Sequence, residues 1–319
     1  MKKVLVTGGS GLIGLELCKQ LLNSGFKVFC LDLPEQIKKN QIFLKPLRNK
    51  ITIIEGSIFE RSLIKELCNK VDIVFHLAAM LGVQRTEENK LKCLDINIKG
   101  TEIVVEASIS AKNSHFVFAS SSEVYGEPTC NPVTENVETK GKTVYAVSKL
   151  TGEEYIKGFS QIHKNFKYTI VRFFNTYGEN QVNQFFLAKI VRNIISNKDP
   201  IVYGNGKQVR SFCHVEDSCN ALVKIIKTKK SHNKIFNIGN SSEIYSLNEA
   251  ATKAIAVLRK KLNVKNVPFS KSDRTREREI LTRYCDTSFA KKTLFFRPKI
   301  TLEEGIKRLS KNKSYILDW

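Results

Sequence analysis

Serines, a carboxylate, a tyrosine and a lysine lie close together in this sequence in an arrangement suited to proton chemistry. Ser120-Ser121-Ser122-Glu123 closes the apolar run Phe116-Val117-Phe118-Ala119, and Tyr145-Ala146-Val147-Ser148-Lys149 follows further on. A tyrosine and a lysine four residues apart share one face of a helix. An ammonium about 4 Å from a phenol, in an effective dielectric near 20, favours the phenolate by about 4 kcal/mol. That is enough to carry a phenol from about 10 toward neutrality and to make it a base for an alcohol proton.

The elements that position these groups are predicted outward from them. Residues 115–119 read as a buried strand that delivers the serines at its carboxyl end, where ligands bind in open parallel sheets. Residues 143–164 read as the helix carrying Tyr145 and Lys149. At the start of the chain, the apolar run 3–7 leads into Gly8-Gly9-Ser10-Gly11-Leu12-Ile13-Gly14, and a helical pattern then runs through Leu15, Leu17, Cys18, Leu21 and Leu22 to a C-cap glycine, Gly25. Residues 27–31 form a second strand that ends on Asp32, 18 residues after Gly14. Strand, glycine turn, helix, strand and acid make a dinucleotide-binding fingerprint. The turn lets the backbone approach a pyrophosphate at a helix N-terminus, and the carboxylate accepts from ribose hydroxyls. Asp32 would repel the extra phosphate of NADP and Leu33-Pro34 supply no cation, so the expected cofactor is NAD.

Further strands are expected at 51–55, 72–76 and 168–173, with His76 a satisfied strand-end residue. The expected fold class is α/β: a Rossmann-type doubly wound parallel sheet with a smaller C-terminal α/β substrate-binding lobe. Residues 1–175 are assigned to the sheet domain, with 209–240 returning to it, and residues 176–208 and 241–319 to the lobe. A capping box is expected at Thr301–Glu304, and Asp286-Thr287-Ser288 should cap a short helix.

Composition bounds the rest. With 319 residues, 42% of them hydrophobic, the chain can bury a large core. No apolar run is long enough to span a membrane, and Met1-Lys2-Lys3 leads straight into a strand, so the expectation is a cytoplasmic protein without a membrane partner. Eight cysteines without a CxxC pair read as thiols, and five histidines without ligand spacing suggest no metal. The net charge of +21 comes from lysines scattered along the whole chain. They form no aromatic-interleaved basic stripe, so they read as a solvated surface that helps to draw in a diphosphate and not as a nucleic-acid site.

Gly8-x-x-Gly11-x-x-Gly14 after Thr7, together with Tyr145-x-x-x-Lys149, resembles the extended short-chain dehydrogenase/reductase family of nucleotide-sugar epimerases and dehydratases, over essentially the whole chain. The resemblance implies a homodimer that binds NAD and a nucleotide-diphosphate sugar. For NAD it implies Gly8, Gly11, Leu12, Ile13, Gly14 and Asp32. It adds Ser57 and Ile58 near adenine, Gly56-Ser57 standing where the family usually carries Gly-Asp, and Leu77, Ala78 and Ala79 as cofactor lining. Asn97 would support the active-site lysine, and Ser120, Tyr145, Lys149 and Phe173 complete the cofactor set. For the substrate it implies Arg85, Ser121, Ser122, Glu123 and Asn175, with Arg210 and Arg276 on the diphosphate.

In catalysis, the resemblance makes Tyr145 the base for the sugar C4 hydroxyl. Ser121, four residues before Tyr125, bonds the same oxygen, and Lys149 holds the phenolate and the nicotinamide ribose. A nicotinamide cation would also favour the phenolate. The expected product is a 4-keto sugar handled by an epimerase or a 4,6-dehydratase. Net dehydrogenation and UDP-glucuronate-type decarboxylation are alternatives. Ser122-Glu123 departs from the Asp-Glu of dTDP-glucose dehydratases and looks like GDP-mannose dehydratases and UDP-glucuronate decarboxylases, where the Glu works at or near C5. A non-catalytic dinucleotide- or nucleic-acid-binding Rossmann protein is the alternative from another class.

Overall fold

Buried parallel strands need apolar residues on both faces, and the central strands of this chain have them. The computed structural model describes residues 1–182, 184–271 and 279–311. In chain order the first six strands are β1 (Lys3–Thr7), β2 (Lys27–Asp32), β3 (Thr52–Glu55), β4 (Ile73–His76), β5 (His115–Ser121) and β6 (Tyr168–Phe173). Then come β7 (Thr176–Tyr177), β8 (Ile201–Tyr203), β9 (Val209–Ser211), β10 (Cys213–His214) and β11 (Lys234–Ile238). The last three are β12 (Ile244–Ser246), β13 (Lys265–Val267) and β14 (Thr282–Arg283).

Seven of these form one parallel sheet in the order β11-β6-β5-β4-β1-β2-β3. Alternation along each strand divides its side chains between two cores. Val4, Val6, Cys30 and Phe75 meet Leu17 and Leu21 of the helix Leu12–Asn23 and Leu222 of the helix Val215–Lys227. Leu5, Leu31, Phe116 and Phe118 face the other way, onto Ile64, Val104 and Ile156 of three further helices. The strand order reverses between β1 and β4, which opens a crevice above the carboxyl ends of the strands, where this architecture binds ligands. The expected fold class is the observed one.

A third core lies outside the sheet. Helices Phe186–Ile195, Leu247–Val257 and Leu302–Lys311 bring together Leu187, Ile190, Ala250, Ala254, Leu302 and Ile306. A capping box between Ser246 and Glu249 starts the second of these helices. At the third, Thr301 accepts the Glu304 N–H at 3.2 Å while the Glu304 carboxylate turns to Arg308, so only half of the expected box forms.

Two segments near the expected boundary pack as follows. Residues 209–211, assigned to the sheet domain, form β9 at the centre of a small lobe sheet, β12-β9-β14. Helix Ser288–Leu294, assigned to the lobe, packs on the main sheet, with Phe289 stacked on Phe236 of β11 at 4.8 Å. Each segment follows its apolar partners. Among the described residues no helix is long and apolar enough to cross a membrane.

Candidate active site

The glycine turn shows what it was built to admit. Gly8 has φ +68°, and a Cβ there would lie 2.7 Å from the Ala78 nitrogen; at Gly14 it would lie 2.3 Å from the Gly8 oxygen. These two glycines let the turn close on itself and on Leu77–Ala78. A Cβ at Gly11 would meet nothing nearer than the Gly8 oxygen at 3.4 Å. Gly11 thus leaves space beside the start of helix Leu12–Asn23, which has no side-chain cap. Open space at an uncapped helix N-terminus, where Leu12 and Ile13 begin the first turn, fits the diphosphate of NAD.

Asp32 ends β2 with much of its carboxylate already engaged. Its Oδ2 accepts the Ser10 N–H at 3.0 Å and the Ser10 hydroxyl at 2.6 Å, and its Oδ1 accepts the Leu33 N–H at 2.9 Å. Burial pushes its pKa up, and the Ser10 bonds work against that. Ser10 therefore holds the Asp32 carboxylate in place, though the sequence showed it only as a loop residue. The Ser57 hydroxyl accepts the Phe59 N–H at 3.2 Å, and Ile58 is buried against Gly100. Leu77 and Ala78 donate their N–H groups to the carbonyl and the hydroxyl of Thr7. Ala79 is half-buried beyond them, and Phe173 is buried at the end of β6.

Helix Val144–Ile162 starts on Thr143, whose hydroxyl accepts the Ala146 N–H at 3.1 Å. Tyr145 therefore sits in the first turn, and Lys149 follows one turn later. Ser121, at the end of β5, hydrogen-bonds the Tyr145 phenol and also accepts the Glu123 N–H at 3.1 Å. The structure corrects the expected electrostatics. Burial, then the charge of Glu123, pushes the Tyr145 phenol well above its ordinary value, and the Ser121 bond is what pulls it down. Lys149 donates to the Ala119 carbonyl at 2.7 Å, with its ammonium 4.8 Å from the Phe118 ring centre and 6.0 Å from that of Tyr145. Burial lowers its pKa to about 8. The lysine that was expected to acidify the phenol is turned toward a carbonyl.

Asn97 lies in a π-helical turn, Asp95–Lys99, between the helices Lys90–Leu94 and Gly100–Ser110. Its amide closes on both backbone groups of Met80, accepting the N–H at 2.7 Å and donating to the carbonyl at 3.0 Å. It also donates to the Ser148 hydroxyl at 2.9 Å, which ties it to the residue beside Lys149. Below the site, Ser120 donates to Glu153 at 2.5 Å, and Glu153 pairs through both oxygens with Arg172 at 2.9 and 2.6 Å. Sequence reasoning missed Glu153, although its place one turn after Lys149 was a signal.

Glu123 meets a partner from far along the chain, one that sequence reasoning missed. The Arg283 Nη2 lies 2.6 Å from Glu123 Oε1, and the arginine is 2% exposed. Its Nε and Nη1 are buried and have no hydrogen-bond partner among the described residues. Other substrate candidates lie as follows. Ser122 is buried, Arg85 is exposed, and Asn175, at φ +35°, donates to the Ser211 carbonyl at 2.9 Å. Arg210 donates to the Val209, Leu281 and Ile280 carbonyls and pairs with Glu279 at 3.2 Å, so the expected diphosphate arginine here grips its own chain. Arg276 lies outside the described residues. Among the described residues, no group of three or more His, Cys, Asp or Glu side chains could hold a metal.

Comparison with known proteins agrees with this geometry. A family model described as the NAD dependent epimerase/dehydratase family matches residues 4–239. The chain is 32% identical over 315 residues to a UDP-N-acetyl-alpha-D-glucosaminuronate decarboxylase of Bacillus cytotoxicus, covering 96% of each chain. It is 33% identical over 315 residues to a putative UDP-glucose 4-epimerase of Methanocaldococcus jannaschii, again with 96% of each covered. Among solved structures, UDP-glucuronic acid 4-epimerase from Bacillus cereus, in complex with UDP-glucuronic acid and NAD, matches with a TM-score of 0.89 at 25% identity, over 98% of this chain and 99% of that one. An enzyme of the extended short-chain dehydrogenase/reductase type with NAD as its cofactor, this chain belongs to the NAD dependent epimerase/dehydratase family.

Proposed function

We propose that this enzyme takes a nucleotide-diphosphate sugar bearing a carboxylate, oxidises it at C4 and releases CO₂. The observation that carries the reading is Arg283. A buried guanidinium with two unpaired donors costs about 1–3 kcal/mol per unsatisfied group, so its persistence beside the reacting residues calls for a ligand. A planar fork of donors suits a carboxylate. The likeness to a glucosaminuronate decarboxylase supports the same reading. Epimerase and 4,6-dehydratase stood first on sequence alone; Arg283 favours a carboxylate-bearing sugar over a neutral one, and the likeness to the decarboxylase moves decarboxylation ahead.

In this reading the glycine turn and the first N–H groups of helix Leu12–Asn23 hold the diphosphate of NAD, and Asp32 with Ser10 holds its ribose. NAD supplies, when bound, a hydride acceptor that can return what it takes. Tyr145 removes the C4 hydroxyl proton, and Ser121 keeps that oxygen in place. Lys149, on leaving the Ala119 carbonyl, is the chain's own source of the positive charge that the phenolate needs. A ketone at C4 turns a carboxylate on C5 into that of a β-keto acid. The bond from C5 to the carboxyl carbon then breaks, CO₂ leaves, and the electron pair moves into an enolate whose oxygen faces Tyr145 and Ser121. C5 then takes up a proton in place of the carboxyl group, and with the hydride returned to C4 and the Tyr145 proton to its oxygen the product is lighter by CO₂ alone. Arg283 selects and orients the carboxylate, and its grip loosens as CO₂ forms. A homodimer and a cytoplasmic setting belong to the same proposal.

A second reading, 4-epimerisation of a uronate, is favoured by the likeness to the glucuronic acid epimerase and uses the same carboxylate contact. Mass spectrometry separates the two. Incubation with NAD and UDP-glucuronate, UDP-N-acetylglucosaminuronate, UDP-glucose or dTDP-glucose should give a uronate product lighter by CO₂ and leave the neutral sugars unchanged in mass. Loss of water from a neutral hexose would overturn the proposal. A uronate converted without change of mass would establish the second reading instead.

A further inference from the structure

We infer that Glu127 and Asn131 are positioning residues that deliver Arg283 to the active site and so set its preference for a carboxylate-bearing sugar, an inference that rests on the function proposed above. Glu123 and Arg283 are 160 positions apart and meet through a strand of only two residues, β14. So short a strand cannot fix its own register. One of its edges is held by β9, with Thr282 opposite Val209 and Arg283 opposite Arg210.

Among the described residues the other edge meets no regular strand. Side chains from the loop after Glu123 stand in for one. Glu127 accepts the Leu281 N–H at 2.7 Å through one carboxylate oxygen and the Thr282 N–H at 3.1 Å through the other. Asn131 donates to the Thr282 carbonyl and accepts the Tyr284 N–H, both at 3.1 Å. Val133 then continues with backbone bonds of 2.8 Å to Tyr284 and Asp286. From the inner side, Arg210 holds the Ile280 and Leu281 carbonyls.

The residues four and eight positions after Glu123 therefore grip the backbone directly before and on either side of Arg283. A carboxylate that receives two consecutive N–H groups fixes both the position and the tilt of a peptide. Glu127 and Asn131 touch neither Glu123 nor the Arg283 side chain in any of these bonds. Their effect on the substrate must pass through the place where they hold the arginine.

Binding separates this inference from the proposed function. Isothermal titration of the full chain with NAD, UDP-glucuronate and UDP-glucose is compared for the parent, Arg283→Met, Glu127→Gln and Asn131→Ala. Glu127→Gln replaces one of the two acceptor oxygens with an amide donor, leaving one N–H opposed, and should weaken UDP-glucuronate about tenfold or more, the scale of one lost charged hydrogen bond. UDP-glucose and NAD should bind as in the parent, and Glu127→Asp should recover part of the loss. Asn131→Ala should act in the same direction and gives an independent reading where Glu127→Gln does not fold. If Arg283→Met loses the preference while both loop variants keep it, the positioning role is wrong and the proposed function stands. If the parent has no preference for UDP-glucuronate and Arg283→Met changes nothing, the carboxylate reading itself falls.

Discussion

A phenol buried against a carboxylate is a poor base until that carboxylate is balanced. Tyr145 is in that position: burial and Glu123 raise its pKa, and Ser121 alone is seen to lower it. Removing the Glu123 charge removes an upward cause, so the phenol should ionise more easily. In Glu123→Gln the acidic limb of the kcat/KM profile should move to lower pH, and the slower turnover expected from the lost Arg283 pairing should not reverse that shift. Tyr145→Phe should lower kcat by about 10²–10⁴-fold while NAD still binds, the usual range for losing a positioned base. Lys149 sets the opposite limb. Its pKa is lowered to about 8, so its positive charge is lost as pH rises through that value and the rate should decline there. A rate-pH series on parent and Lys149→Met checks this, since the variant should lack that alkaline limb.

At the scale of elements, the site depends on interruptions in regular structure. Between helices Lys90–Leu94 and Gly100–Ser110 the chain makes a π turn that points Asn97 at Met80 and Ser148. A single Asn in an apolar helix gives no hint of that extra residue per turn, because the turn is set by packing against helix Val144–Ile162. Asn97→Ala strands a buried N–H and a buried carbonyl on Met80 and should cost about 1–3 kcal/mol, read from the urea midpoint. Asn97→Asp keeps the acceptor for the Met80 N–H and should recover part of that loss. If Asn97 also orients the lysine helix, kcat of Asn97→Ala should fall further than stability does, at saturating NAD. Elements with strong local signals behaved otherwise. The glycine turn and the Thr143 cap were readable from residue type; at helix Ser288–Leu294 the cap residue Thr287 makes no side-chain cap bond, and Asp286 before it accepts the Ser288 N–H at 2.6 Å.

Across the whole molecule, a sheet covered on both faces shuts polar strand residues away from water, and two histidines show the consequence. His76 lies between Thr7 and Thr101 at 2.8 and 3.1 Å, and His115 lies 2.8 Å from Thr169. Burial lowers both pKa values to about 3. For a base whose folded pKa lies below its unfolded value, the unfolded chain binds more protons in between. Stability should therefore fall as pH drops from about 6.5 to about 3, by on the order of a few kcal/mol from each group. Urea midpoints across that window check the direction, and His115→Gln, which lies away from the site, should flatten the slope. His76 was read as a satisfied strand-end residue, and its two threonine partners bear that out.

Residue types and short spacings by themselves determined the fold class, the glycine turn with Asp32 at the end of the next strand, and the serines, tyrosine and lysine at the strand and helix ends. Those features are local: a turn, a cap or a helical face is fixed by residues within a few positions of one another. Tertiary structure alone decided that Lys149 faces the Ala119 carbonyl, that Asp32 shares its carboxylate with Ser10, that Arg210 grips its own chain, and above all that Arg283 meets Glu123. Those pairings depend on how distant segments share a small buried space. Spacing along the chain carries no record of which charge will end up opposite which.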